Sequence, residues 1–250
     1  MKNYNLIILF STIFFLFGCG VVDTEAVDTQ YTIDKPYDFR PITEAPGFAY
    51  LPNREKLEAL QLPEDILNKM TTRTLVETCL NYPLFTEVMT SSSGIRGGMQ
   101  TLIEQKFFNG FNELLERKDA YIYLREKFLS FDQLAITNKG WSGNEWAEYR
   151  FKLTKILLLL GRDEVLESAN ASYESKISLL RGILLKFEKT LTREEEHYAG
   201  YPHGELFFLI CKILHKSGNP SIPPLIEDNR LLDSARNMDI LSIAIKIVNQ

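Results

Sequence analysis

An all-α domain is predicted by three observations. Apolar residues recur every three or four positions through residues 53–248, helix-start and helix-stop residues punctuate those runs, and no convincing alternating strand appears after residue 53. About nine or ten helices fit, one roughly every twenty residues. No signature repeats at about 34 or 40 residues, so a multi-helical bundle and an array of stacked helical pairs both stay open. Three segments follow: residues 1–18, an extended tether over 19–52, and the helical domain over 53–250.

The first segment reads as a signal peptide. Lys2 gives a positive start, residues 6–17 are apolar except Ser11 and Thr12, and Gly18 places a small residue before Cys19. A membrane-crossing helix needs about 20 apolar residues, so this run suits a cleaved leader better than a span. Leu16-Phe17-Gly18-Cys19 resembles the bacterial lipobox, with Phe17 where a smaller residue is commoner. That resemblance implies acylation of the Cys19 thiol, cleavage before Cys19 and acylation of the new amino terminus. The alternative is an ordinary secretory cut near Gly18 or Gly20, with Cys19 incidental. Several acyl chains, at about 0.8 kcal/mol per buried methylene, make release slow. A membrane reached through the Cys19 lipid is therefore the first expected partner, in a cell envelope and at an outer membrane whose leaflet is open.

After Cys19 come Asp23, Glu25 and Asp28, then Pro36, Pro41, Pro46 and Pro52, without helical period. Regular proline stiffens a spacer, and residues 19–52 fully extended could reach about 100 Å from a bilayer. Tyr31, Tyr37, Phe39, Phe48 and Tyr50 imply that the second half packs along the domain. The 250 residues are 45% hydrophobic and 12% aromatic, enough for a sizeable core. Net charge is −5, and losing Lys2 leaves 27 basic against 33 acidic residues, or −6. With no basic block, a nucleic-acid partner is disfavoured. If Cys19 carries lipid, Cys79 and Cys211 remain. Each lies on an apolar helical face, beside Leu75, Val76 and Leu80 or beside Phe207, Ile210 and Leu214, so two inert core thiols are expected, with a bridge between them the sharper alternative.

The helices follow in order. Asn53 caps a short helix through Leu60, and Pro63 with Glu64 and Asp65 starts another. Thr74-Leu75-Val76-Glu77 has capping-box spacing, and Tyr82-Pro83 ends that helix. Residues 84–89 form a short helix, and residues 90–98, with Ser91, Ser92, Ser93, Gly94, Gly97 and Gly98, a loop. Residues 99–116 read as one helix carrying Leu102, Ile103, Phe107, Phe111, Leu114 and Leu115. Gly110 inside it implies close approach of another backbone. Asp119 caps a helix with Tyr121, Leu124 and Phe128; residues 132–144 form a loop; Asn144 opens a long helix stopped by Gly161. Asp163 starts a helical region with Ile177, Leu180, Ile183, Leu184 and Phe187 on one stripe. Residues 204–216 are apolar nearly all round, hence central. Pro220, Pro223 and Pro224 interrupt, and a last helix over 234–248 turns Met238, Leu241, Ile245 and Val248 inward.

Residues 70–84 (Met70-Thr71-Thr72-Arg73-Thr74-Leu75-Val76-Glu77-Thr78-Cys79-Leu80-Asn81-Tyr82-Pro83-Leu84) and 108–120 (Phe108-Asn109-Gly110-Phe111-Asn112-Glu113-Leu114-Leu115-Glu116-Arg117-Lys118-Asp119-Ala120) resemble a group of uncharacterised predicted lipoproteins of Bacteroidota. The likeness spans roughly residues 50–130. It implies a Gram-negative envelope location and, since the group has no assigned reaction, no particular activity.

Chemistry-bearing residues are sparse. His197 and His203 near Glu194, Glu195 and Glu196 form the best metal-like cluster, but without HExxH spacing they read as a charged surface run. His215 sits near a helix C-terminus, where positive charge is favourable. The serine- and glycine-rich residues 91–98 contain neither G-x-S-x-G nor GxxxxGK[ST]. Trp141 and Trp146 could stack on a sugar, although a core position for Trp146 and a loop-closing one for Trp141 suffice. Glu113, Glu116, Asp119, Arg117 and Lys118 read as exposed helix pairs. No catalytic, cofactor-binding or metal residues are assigned, and Cys19 is the single site residue, for lipid attachment. A lipid-anchored helical module that binds an envelope protein or peptide is expected. The alternative is an envelope enzyme acting on glycan or peptidoglycan fragments through residues 194–203 and Trp141.

Overall fold

Frequent stops divide the chain into short helices, none of the described ones longer than 19 residues. The computed structural model describes residues 32–85, 92–131, 143–191, 203–217, 222–227, 230–232 and 239–249. The chain divides into Met1–Tyr31 and Thr32–Gln250. Twelve α-helices, one 3-10 turn and one two-residue antiparallel ladder make up the regular structure of the described residues, so the fold is all-α.

Residues 32–52, the domain-proximal part of the expected tether, are packed as a strap. Ile33 pairs in parallel with Met70; its N–H donates to Lys69 O at 2.8 Å, and its carbonyl accepts from Thr71 N at 3.3 Å. Tyr37 N donates to Thr78 Oγ1 at 3.0 Å, and Phe39 is buried. After α1 (Arg40–Thr43), Gly47 takes φ +93° and a 3-10 turn covers Phe48–Tyr50. Phe48 is half-buried, whereas Tyr50 is 92% exposed. Tyr31 lies outside the described residues.

The next helices are α2 (Asn53–Ala59), α3 (Glu64–Leu67) and α4 (Thr72–Leu80). Thr71 caps α4 where Thr74 was expected to: its Oγ1 accepts from Thr74 N at 3.2 Å. The hydroxyl available three residues earlier lets the helix start at Thr72, and Glu77 instead pairs with Lys127. Residues 86–89 of the expected short helix lie outside the described residues.

Two helices, α5 (Gly94–Glu104) and α6 (Asn109–Glu116), replace the single one expected over 99–116. Gly97 and Gly98 are therefore helical, and their loop assignment is corrected. The break comes from long-range bonds that spacing does not reveal. Gln61 Nε2 donates to Phe107 O at 2.8 Å, Asn109 N donates to Gln61 Oε1 at 2.8 Å, and Leu62 N donates to Asn109 Oδ1 at 2.9 Å. Gly110 makes room for a ring and not for a backbone: a Cβ there would meet two Phe108 ring carbons at 2.5 Å.

The remaining elements are α7 (Ala120–Ser130), α8 (Gly143–Leu160), α9 (Asp163–Leu166), α10 (Tyr173–Leu191), α11 (His203–His215), the ladder β1 (Ile226–Glu227) with β2 (Arg230–Leu231), and α12 (Ile240–Val248). Asp119 precedes α7 but accepts from Thr72 Oγ1 at 2.8 Å, tying α7 to α4. In α12, Ile240, Ala244, Ile247 and Val248 are buried while Ile245, expected inward, is 50% exposed. Ser242 and Lys246, four apart, mark the outward face of this helix, and Ile245 borders that face, so its exposure follows from the polar stripe. Met238 lies outside the described residues.

Packing joins elements distant in sequence. α4 touches α6, α7 and α8; α9 touches α6, α7 and α8; α11 lies against α8, α10 and α12. These non-sequential contacts make a bundle, since a linear stack confines each unit to its neighbours. One core runs from Phe39 to Val248. Near its start Tyr82 stacks on Phe108 at 4.2 Å, and Phe39, Phe111 and Phe85 meet this pair or one another edge-on. Such aromatic pairs contribute about 0.5–1.5 kcal/mol beyond area burial. Cys79 and Cys211 are free thiols without solvent exposure, so the bridge is not formed. Burial pushes the Cys79 thiol well above its usual range and that of Cys211 up to about 12.

Cations from elsewhere in the chain close several helix C-termini, where carbonyls lack intrahelical donors. Arg117 donates to Leu67 O and Met70 O after α3 at 3.4 and 3.2 Å, and Lys155 to Leu80 O of α4 at 3.0 Å. Lys186 donates to Phe131 O after α7 at 2.5 Å, and Arg181 to Val248 O of α12 at 2.8 Å. Arg117 also pairs with Glu113 at 2.5 Å, half-buried, so it is more than the exposed helix partner expected.

Candidate functional site

α11 is buried almost all round: every side chain from Phe208 to Leu214 is inside, including Lys212. A charged side chain there needs partners within the fold. Lys212 Nζ donates to Gly161 O, after α8, at 2.6 Å and pairs with Asp163, first residue of α9, at 3.2 Å. Asp163 also pairs with Lys216 at 3.1 Å, and Lys216 with Glu167. Burial lowers the Lys212 pKa, while Asp163 opposes that shift. Burial works against ionisation of Asp163, yet Lys212 and Lys216 outweigh it and hold its carboxyl below the usual value.

Beside this group a shallow crevice, with room for little more than a water molecule, lies between α5, the α8–α9 corner and α11. Gly94, at φ +76°, turns the chain into α5, so that Arg96 in its first turn reaches α11. Arg96 Nη1 pairs with Glu205 at 3.0 Å, and its guanidinium carbon lies 4.2 Å from the Phe208 ring centre. On the opposite wall Arg162 pairs with Glu164 at 3.0 Å and donates to Gln100. Met99, Leu157 and Leu158 complete the lining. Each cation has a carboxylate partner, and among the described residues the wall carries no cysteine, serine or histidine. Its chemistry is that of a polar staple with an apolar floor.

No protein-family model, curated protein or solved structure matches the chain.

The residues singled out from sequence do not converge on this crevice. Cys19, Glu194, Glu195, Glu196, His197, Trp141 and Ser91 lie outside the described residues. His203 opens α11 and Trp146 lies in α8, with neither side chain described. His215 is exposed at the end of α11. Ser92 and Ser93 form the turn before α5. Among the described residues, no group of three or more His, Cys, Asp and Glu could hold a metal ion. Arg96, Arg162, Asp163, Glu205 and Lys212 were missed by sequence reading. Only Lys212 carried a signal, a lysine inside the otherwise apolar Phe207-Phe208-Leu209-Ile210-Cys211-Lys212-Ile213-Leu214.

Proposed function

We propose that this chain is a lipid-anchored envelope protein whose helical body binds a protein or peptide partner, with Cys19 as the acylated residue. The observation that carries the reading is the apolar run over residues 6–17 closing on Gly18-Cys19. The likeness to predicted lipoproteins of Bacteroidota supports the same location, at an outer membrane. Twelve residues, 20–31, connect Cys19 to the helical unit that begins at Thr32. That length spans at most about 45 Å fully extended, so the body works near the lipid surface and not some 100 Å away. Leu185 and Ile245, half-exposed on the mutually packed α10 and α12, supply apolar surface for a polypeptide partner.

Mass spectrometry of the N-terminal peptide from detergent-extracted protein tests the anchor. An acylated Cys19 at the new amino terminus is expected; an unmodified Cys19, or a chain still carrying residues 1–18, overturns it. Photo-crosslinking residues placed at Leu185 and Ile245 of the anchored chain test the partner. A discrete adduct with one envelope protein or peptide is expected at one site or both, and no adduct at either overturns the binding role.

A further inference from the structure

Residues 45–52, Ala-Pro-Gly-Phe-Ala-Tyr-Leu-Pro, form the longest uncharged stretch of the strap. Ala45, Pro46, Gly47, Ala49, Tyr50 and Pro52 are exposed, Tyr50 to 92%. A tyrosine so fully in water gains little from its own fold. The turn nevertheless has a fixed shape: Phe48 N donates to Ala45 O at 3.1 Å, Tyr50 N to Gly47 O at 3.0 Å, and Leu51 N to Phe48 O at 3.1 Å, while Phe48 packs against the core. Several of its amides are thus satisfied internally, which lowers the penalty for leaving water. Two flanking ion pairs form, Arg40 with Asp38 at 2.7 Å and Arg54 with Glu58 at 2.9 Å, while Glu44 and Glu55 border the turn outside these pairs. The turn itself carries no charge, and an apolar, polar-tipped aromatic suits a lipid–water interface.

We propose that the turn over residues 45–52 is a second membrane contact, resting Tyr50 in the interfacial layer of the bilayer that holds the Cys19 lipid. The inference rests on the anchoring proposed above. Twelve residues separate Cys19 from Thr32, and Tyr50 follows 18 positions later in a folded strap. An anchor with that short a leash keeps the turn at high local concentration near the surface, so a contact too weak to bind by itself becomes populated. Its effect is to orient the helical body on the membrane.

The test uses the mature, acylated chain carrying Ala49→Cys, labelled with a polarity-sensitive fluorophore and reconstituted on phosphatidylethanolamine–phosphatidylglycerol vesicles. Cys79 and Cys211 are buried and Cys19 is acylated, so position 49 is the reactive thiol among these. Relative to the same label on a chain that starts at residue 20, without acyl groups and without vesicles, the label is expected to shift to the blue, to lose iodide quenching several-fold and to be quenched by lipid-attached nitroxide. Adding Tyr50→Asp is expected to restore iodide quenching while the chain still floats with the vesicles. A label at Tyr173→Cys, on a half-exposed site of α10, is expected to stay in water. A chain that floats with its residue-49 label fully open to iodide overturns the turn contact and leaves the anchor standing. A label shielded without nitroxide quenching, as in contact with a second copy or another protein, overturns it too. A wild-type chain that does not float overturns the anchor, and the turn contact with it.

Discussion

Lys212 illustrates how one residue joins three helices. It sits inside α11, holds the carbonyl that follows α8 and pairs with the start of α9. Lys212→Met keeps the apolar stem but orphans Gly161 O, with an expected loss of about 1–3 kcal/mol in urea unfolding. Asp163→Asn is expected to lose less, at most about 1 kcal/mol, because Asp163 is half-exposed and solvent screens it. Its pH dependence has a definite sign. The folded pKa lies below the ordinary one, so the carboxylate contributes fully above about pH 4 and its contribution disappears as pH falls through the folded value. The gap between wild type and Asp163→Asn should close below that point, and a gap unchanged down to pH 2 contradicts the assignment. Glycines give a second contrast. Gly110→Ala drives a methyl into the Phe108 ring and is expected to cost about 1–3 kcal/mol, whereas Gly204→Ala, with open space around it in the first turn of α11, should gain a few tenths by helix propensity. Opposite signs in thermal melts check both.

At the scale of elements, the N-terminal strap has the largest consequence. Phe39→Ala removes a buried ring that meets Tyr37, Tyr82 and Phe108, with an expected loss of about 3–5 kcal/mol in denaturant unfolding. Its aromatic residues were visible in the sequence, and so was the tendency of the strap to pack. The parallel pairing of Ile33 with Met70 was not, because a two-bond bridge across 37 positions leaves no period. The same reason explains α5 and α6. Apolar spacing continues smoothly through residues 102–115, but Gln61 and Leu62 capture the backbone and side chain around Asn109 and break the helix. Spacing reports which face of a helix is apolar; it does not report a side chain that arrives from 48 residues away. α12 shows a different failure: Ser242 and Lys246 mark its outward face in the sequence, and the inward stripe drawn through Met238, Leu241 and Ile245 passed over that polar pair.

For the molecule as a whole, the all-α class was legible because it follows from local chemistry: threonine and aspartate at helix starts, glycine and proline at stops, apolar residues at helical spacing. The crevice was not, because Arg96, Arg162 and Glu205 look in sequence like ordinary surface charges and meet only through the bundle's non-sequential packing. The thiols connect the two levels. Buried with raised pKa values, Cys79 and Cys211 are expected to resist maleimide in the native protein at pH 8 and to react, two per chain, once it is unfolded without reductant. Fast native labelling, or fewer than two reactive groups after unfolding, contradicts that placement.

Arg117, Lys155, Lys186, Lys212 and Arg181 each close a helix end that belongs to another part of the chain. No helix so closed can melt alone without the lid on its carbonyls being pulled off or left idle. Amide protons in α4, α8 and α12 should therefore exchange with deuterium at one common, slow rate set by the opening of the entire bundle, and not in a graded series from end to end.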